Sequence, residues 1–222
     1  MEKKPVMTMV KDEKLIEKRR KQMIKAAIKL FKEKGFHKTT TREIAREAGF
    51  SIGTLYEYIR QKEDILYLVC DAIYDQFRER MEQEVSYEGG DIDLLKRTIS
   101  AYIELVHDMQ DEMLVMYQEL KSLAKDSLPY VLKKEMEMAA IFERILTTAV
   151  NEKVLSLTED EIKAAAHNIL IVGQMWAFRR WALQRFYSLD EYIQMQTRLL
   201  LEGIRRAGEG SENVLTGGGR IE

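Results

Sequence analysis

The sequence predicts an all-α protein, and three observations carry that prediction. Only two prolines, Pro5 and Pro129, occur in 222 residues. Leu, Met, Lys, Glu and Ala are abundant and β-branched runs are few, which is the residue usage of helices. No segment alternates polar and apolar residues as a half-exposed strand does. With 45% apolar residues, a chain of this length can bury one large core or two small ones.

The elements follow in order. Residues 1 to about 10 show no periodicity and are expected to be loose. Leu15 to Lys34 reads as an amphipathic helix with Ile16, Met23, Ala27 and Leu30 inward and Phe31 beside them. Lys18, Arg19, Arg20, Lys21 and Lys25 crowd its first half, and Gly35 stops it. Thr39 or Thr40 is a natural N-cap, and with Thr40 as cap Glu43 falls three residues on and completes a capping box. Ile44, Ala45 and Ala48 face inward, Gly49 permits a sharp turn, and Ser51 caps a third helix reaching roughly to Tyr58. From Asp64 to about Val85 a long helix turns Ile65, Leu68, Val69, Ala72, Ile73 and Phe77 inward, and Gly89-Gly90 closes it.

Five more helices are expected, at roughly 91–108, 111–125, 129–151, 159–186 and 189–206, for about nine in all. Pro129 at a helix start and a second capping box, Thr158 with Glu161, mark two of the breaks. Residues 208 to 222 hold five glycines and no apolar period, so a disordered tail is expected.

Two short helices joined at Gly49, followed by a helix that starts near Lys62, form a helix-turn-helix, an element that places its second helix in the major groove of DNA. The charge agrees. Residues 1 to 62 carry 17 Lys/Arg and 8 Asp/Glu, a net of +9, whereas the remainder carries 18 and 29, a net of −11. A basic end on an acidic body is the electrostatic footprint of a DNA-binding module attached to something else.

Other classes are excluded by what the chain lacks. The single cysteine, Cys70, permits neither an internal disulfide nor a cysteine-rich zinc site. Charges at positions 2, 3 and 4 are followed by no apolar run, and the most apolar window, Ala164 to Phe178, contains His167, Asn168 and Gln174. A cytoplasmic protein without membrane contact is expected. Glu104-x-x-His107 has the spacing of half a di-iron carboxylate site, but the second Glu-x-x-His is missing. No catalytic residue, metal or cofactor is expected.

The run from Gly35 to Leu66 resembles the DNA-binding domain of the TetR family of bacterial one-component repressors. Gly35, Thr40, Ile44-Ala45, Ala48-Gly49, Ser51, Gly53-Thr54-Leu55-Tyr56 and Lys62 carry the likeness in order and spacing. Two positions depart from the usual pattern: Phe50 stands where valine is common, and Ile59 where phenylalanine is. The resemblance implies a three-helix reading head, a helical effector-binding body and a homodimer built largely from the last two helices. The expected division is 1–62 for arm and head, 63–207 for the effector-binding and dimerisation body, and 208–222 for the tail.

Carried over by position, Thr40 and Thr41 hold a phosphate at the amino end of the second helix. Arg42 is the candidate base contact, its planar fork matching the acceptors of guanine, although an exposed arginine held by Glu43 or Glu47 is the bland alternative. Ser51 opens the recognition helix, Gly53 allows close backbone approach, and Ile52 and Thr54 can touch a thymine methyl or the sugar edge. Tyr56 and Tyr58 are expected on phosphates, and Lys62 is a phosphate clamp by analogy.

In the body, Ile169 and Gly173 on one helix and Leu189, Ile193, Gln196, Leu200 and Gly203 on the next follow three-four spacing and are expected at the dimer interface. Tyr102, Val106, Met113, Met116, Tyr117, Phe142 and Trp176 are the candidate lining of a pocket for a flexible apolar effector, or ordinary core. Arg179 and Arg180 lie on an otherwise apolar stretch, so one is expected near the inward face, paired with Glu104, Asp108 or Glu119 or with the acidic head of a ligand. The body looks compatible with family members that sense fatty acids or acyl-CoA. The rival reading is a helical adaptor that binds a partner without sequence-specific DNA recognition.

Overall fold

Helices form wherever the apolar period is three-four and end at a cap or a glycine, and this chain uses both devices throughout. The computed structural model describes residues 6, 8–84 and 91–216, and among these every regular element is helical. The Gly89-Gly90 stop lies outside the described residues.

Helix α1, Glu13–Lys38, starts on Asp12, whose carboxylate accepts from the Leu15 N–H at 3.1 Å. Gly35 interrupts it at φ 79°, ψ 164°, a backbone conformation that only glycine adopts readily. The stop expected at Gly35 is therefore present, followed by one more short turn. Met23, Ala26, Ala27, Leu30 and Phe31 are buried, whereas Ile16 is only half-buried.

Helix α2, Thr41–Glu47, and helix α3, Ile52–Tyr56, meet at Gly49, whose φ of 77° makes the turn. Ile44, Ala45 and Leu55 are buried where the two helices join. Helix α3 is shorter than expected and ends before Tyr58. Helix α4, Lys62–Glu84, begins where the Asp64 carboxylate accepts from the N–H groups of Arg60 and Gln61 at 2.9 and 3.1 Å.

Helices α5, Ile92–Asp108, and α6, Gln110–Glu119, follow, and α6 closes in a 3-10 turn, Leu120–Ser122. Helix α7 is Leu128–Asn151. The helix expected over 159–186 is two: α8, Glu159–Phe178, and α9, Arg180–Phe186, separated by Arg179 at φ −110°, ψ 24°. No glycine or proline stands at that break. Ten helices rather than nine thus occur among the described residues.

Helix α10, Leu189–Thr216, runs well past the expected end near 206. The disordered tail is corrected to this extent: Gly208 and Gly210 lie within the helix, because each costs only about 1 kcal/mol and no proline or capping residue stops it. The last six residues, 217–222, lie outside the described residues.

The chain divides into two compact units. The first comprises Met1–Phe77 and Asp111–Glu135, the second Arg78–Gln110 and Met136–Glu222. In the first unit a buried polar cluster joins α4 to α7. The Tyr130 hydroxyl donates to Asp71 at 2.9 Å, and the Lys134 ammonium lies 2.7 Å from Asp75 and 3.9 Å from Asp71. Asp71 can be buried because both partners meet it there. Neighbouring Cys70 is fully buried, and burial with the Asp71 charge pushes its thiol up to about 12, which leaves it inert.

In the second unit α5, α8 and α10 pack together. Tyr102 is central: its ring meets Phe142 edge to face at 5.4 Å, and its hydroxyl donates to the Leu170 carbonyl at 3.0 Å. The Trp176 indole donates to His107 Nδ1 at 3.0 Å and tilts over Tyr192 at 4.8 Å. Among the described residues no helix is long and apolar enough to cross a membrane, and no cluster of His, Cys, Asp or Glu could hold a metal ion.

Candidate nucleic-acid interface

The predicted capping box is complete and sets the amino end of α2. The Glu43 N–H donates to Thr40 Oγ1 at 3.3 Å, and the Glu43 carboxylate accepts from the Thr40 N–H and hydroxyl at 2.9 and 2.8 Å. Lys34 pairs with the other oxygen of the same carboxylate. These partners, Lys34 first and then the two Thr40 groups, hold the Glu43 carboxyl well below its usual range, at about 2. Thr40 is thus fixed by its own helix.

The recognition helix is set the same way. Ser51 Oγ accepts from the Thr54 N–H at 3.0 Å and shares a hydrogen bond with the Thr54 hydroxyl at 3.0 Å. The hydroxyls of Thr41 and Tyr56 share another at 3.1 Å, which ties the start of α2 to the end of α3. One continuous edge results. Thr40, Arg42, Ser51, Gly53 and Tyr56 are exposed along it, and Thr41, Ile52 and Thr54 are half-buried.

Arg42 projects from that edge, and the two carboxylates proposed to restrain it are occupied elsewhere: Glu43 by Lys34 and Glu47 by Lys29 at 2.6 Å. Gly53 is informative in a different way. A Cβ built there would meet only Ser51 Oγ, at an ordinary 3.6 Å, so the fold itself does not require a glycine. Phe50, the unusual residue after Gly49, is half-buried beneath the Arg19 guanidinium at 5.0 Å, whereas Ile59 is buried.

One of the expected contacts is corrected, and the residue of a second has partners within the protein. Tyr58 is buried, with 2% of its surface exposed, because α3 ends at Tyr56 and the following turn swings residues 58 and 59 into the core. Lys62 is engaged by the protein: its ammonium donates to the carbonyls of Phe36, Thr39 and His37 at 2.8, 3.1 and 3.5 Å and sits 4.1 Å from the Phe36 ring. The Phe36 carbonyl also accepts from the Thr39 N–H at 3.2 Å, and the lysine adds a second closure to the chain as it leaves α1.

The body residues sort by unit. Met113 and Met116 are buried in the first unit, and Tyr102, Val106, Phe142 and Trp176 in the second. Tyr117 is 63% exposed and lines no core, since it faces outward on α6. Neither arginine is buried: Arg179 is exposed at the helix break, 5.4 Å from the Trp181 ring, and Arg180 is half-buried. Of their proposed partners, Asp108 pairs with Arg80 at 3.3 Å and Glu119 bonds the Phe36 N–H at 3.0 Å.

On the expected interface helices, Ile169 and Ile193 are buried within the chain's own core. Gly173 is explained within the chain as well, because a Cβ there would lie 2.1 Å from the Tyr102 ring. The outward face of α8 instead carries Ala164, Asn168 and Ile171, one step round the helix from the stripe the three-four spacing suggested. Leu189, Gln196 and Leu200 are half-buried, and Gly203 is exposed with nothing within 4 Å of a built Cβ.

The basic three-helix head and its exposed α2–α3 edge define a helix-turn-helix transcription regulator with a long helical body. Residues 23–67 match the family model described as bacterial regulatory proteins, tetR family, and residues 89–182 match the tetracyclin repressor-like C-terminal domain. The chain belongs to the TetR family, as a transcriptional regulator with an N-terminal DNA-binding domain and a C-terminal ligand-binding domain.

It is 29% identical over 197 residues to the HTH-type transcriptional regulator HbdR of an Aromatoleum species, covering 89% of this chain and 85% of that protein. Over 100 residues it is 34% identical to the fatty acid metabolism regulator protein of Bacillus subtilis, which spans 45% of this chain and 52% of the relative. A Rhodococcus RHA1 regulatory protein of the tetR family shares the fold, with a TM-score of 0.72 at 24% identity over 82% of this chain and 96% of that one.

Proposed function

We propose that this regulator is a repressor that binds a palindromic operator as a homodimer and is released by a small hydrophobic or acidic effector such as a fatty acyl compound. In this reading residues 1–62 address the DNA and residues 63–207 bind the effector and the second subunit. The observation that carries it is the α2–α3 edge, where Arg42, the Thr41–Tyr56 pair and a glycine unneeded by the fold stand together. A head that only met acidic partners would need none of the three in these places.

Dimerisation is supported by the outward faces of α8 and α10. Ile171 and Leu199 are more than half exposed there, beside a groove of about 280 Å³ lined by residues that include Ala164, Asn168, Leu200 and Gly203. A second copy of the same two helices would cover them, and two heads would address half-sites about one helical turn apart. For the effector, the fatty-acid relative supplies the ligand class, and the packed aromatic group around Tyr102 and Trp176 supplies a means of response. A ligand entering there must displace a ring, and a displaced ring moves α5 against α8.

Footprinting on the promoter nearest its own gene, with the protein at micromolar concentration, tests the DNA and dimer claims together. A protected palindrome whose halves lie one turn apart is expected, and protection released by acyl compounds but not by their shorter polar analogues. Protection indifferent to sequence would favour the adaptor reading. Sequence-specific protection unmoved by any acyl compound would overturn the effector class alone.

A further inference from the structure

The contact between α4 and α7 holds two acceptors and two donors at matched spacing. Asp71 and Asp75 stand four residues apart on α4, and Tyr130 and Lys134 four apart on α7, so each pair occupies one face of its helix, one turn apart. All four belong to the first unit. The Tyr130 hydroxyl donates to Asp71 at 2.9 Å, and the Lys134 ammonium donates to Asp75 at 2.7 Å. The same ammonium lies 3.9 Å from Asp71 and 5.6 Å from the centre of the Tyr130 ring.

The partners are matched the unexpected way round. Only 5% of the Asp71 side chain and 13% of the Lys134 side chain are exposed, against 31% for Asp75. The buried carboxylate, which gains most from a cation, has the neutral donor nearer to it, while the cation sits on the carboxylate that water already reaches. A seam serving only to hold α4 on α7 would put the ammonium on Asp71. It stops about 1 Å short of hydrogen-bond reach. A second arrangement, with Lys134 on Asp71 and Asp75 left to solvent, is therefore close at hand.

We propose that this seam is a two-position latch, in which handing Lys134 from Asp75 to Asp71 draws α4 along α7 and resets the reading head that α4 carries. The head is fastened to the start of the same helix, by Lys62 on the carbonyls of Phe36 and Thr39 and by Asp64 on the N–H groups of Arg60 and Gln61. Asp71 lies nine residues beyond Lys62, about 14 Å along the helix axis, so a shift at the seam reaches the head through hydrogen-bonded backbone rather than through a loop. The donors of the latch share α7 with Phe142, whose ring meets Tyr102. The inference rests on the head being DNA-binding.

Three variants bias the latch in known directions. Asp75→Asn removes the near partner of Lys134, and Tyr130→Phe removes the neutral donor to Asp71, so both send Lys134 towards Asp71. Asp71→Asn holds it on Asp75. Affinity of the full-length protein for the operator found by footprinting, measured by fluorescence anisotropy without added ligand, is expected to move in one direction for the first two, by about fivefold or more, and in the opposite direction or not at all for the third. In a Lys134→Met background, Asp75→Asn and Tyr130→Phe should lose their effect on affinity, a comparison that stands even where Asp71→Asn fails to fold. Lowered urea melts with operator affinity unchanged, or the same shift in all three variants and in the Lys134→Met background, would mean a purely structural seam and overturn the latch while leaving the head's role intact. A wild-type protein that binds no DNA would overturn both.

Discussion

The Glu119 carboxylate, near the end of α6, accepts the backbone N–H of Phe36 at 3.0 Å, 83 residues away in the chain. It reaches that donor because Gly35 is left-handed there, and the same carboxylate also accepts from the Ser122 hydroxyl, which in turn meets His37 Nε2 at 3.2 Å. Lys32 pairs with Asp111 at the other end of α6. The first unit therefore ties the end of α1 to α6 at two places.

Glu119→Ala leaves the Phe36 N–H without its acceptor, at a cost of about 1–3 kcal/mol for a part-buried group. Amide hydrogen exchange at Phe36 should accelerate together with a lower melting temperature. If Phe36 exchanges as slowly in the variant as in the wild type, the bond does not hold the head.

Lys62→Met removes the donor that closes three carbonyls at the end of α1. Destabilisation of about 1–3 kcal/mol is expected in urea melts, with no change in the salt slope of DNA binding when the variant is folded. A phosphate clamp would give the reverse, an unchanged melt and a slope lower by about one unit.

Gly53→Ala should fold at least as stably as the wild type, since the new methyl meets only Ser51 Oγ and alanine favours a helix by roughly 0.5–1 kcal/mol. Operator affinity should nevertheless fall by roughly tenfold or more, about 1.4 kcal/mol, if backbone approach to DNA is what the glycine serves. Unchanged affinity would leave the glycine without a functional reason.

Gly173→Ala drives a methyl to 2.1 Å from a Tyr102 ring held by Phe142 and the Leu170 carbonyl. Overpacking of this kind costs typically about 1–3 kcal/mol. The loss should appear in the melting temperature at every protein concentration and shrink when Tyr102→Leu is added. A loss confined to low concentration would place the glycine at a subunit contact instead.

Acid should loosen the start of α2. Glu43 has its carboxyl lowered from 4.5 to about 2 by Lys34 and Thr40, so its contribution is complete above pH 4.5 and fades as pH falls towards 2. The difference in melting temperature between wild type and Glu43→Gln should be constant from pH 7 to 5 and close below that. A difference at pH 2 as large as that at pH 7 would mean the carboxylate charge is not its source.

What the sequence made legible was what is local in the chain. Thr40 and Glu43, or Thr158 and Glu161, declare a helix start within four residues, and Ser188 with Glu191 is a third such box that was equally open to reading. Tyr58 was misplaced because a face was counted along a helix that stops two residues earlier. Lys62 and Gly173 have partners within the chain that the sequence does not announce, for a different reason. Their partners, the carbonyls near Phe36 and the ring of Tyr102, lie 23 or more residues away, and no period or spacing points to them. The break at Arg179, with no glycine or proline, left no local signal at all.

The recognition helix has five residues, Ile52–Tyr56, and one of them, Leu55, is buried. So short an element can offer only about three or four side chains to base edges, enough to spell a word of roughly four base pairs. Such a word recurs by chance about every 250 base pairs, which makes a single head nearly useless as an address. Two heads at a fixed separation square that rarity. In the proposed dimer the brevity of α3 makes the information content a property of pairing, and places the burden of genomic selectivity on the distance between heads.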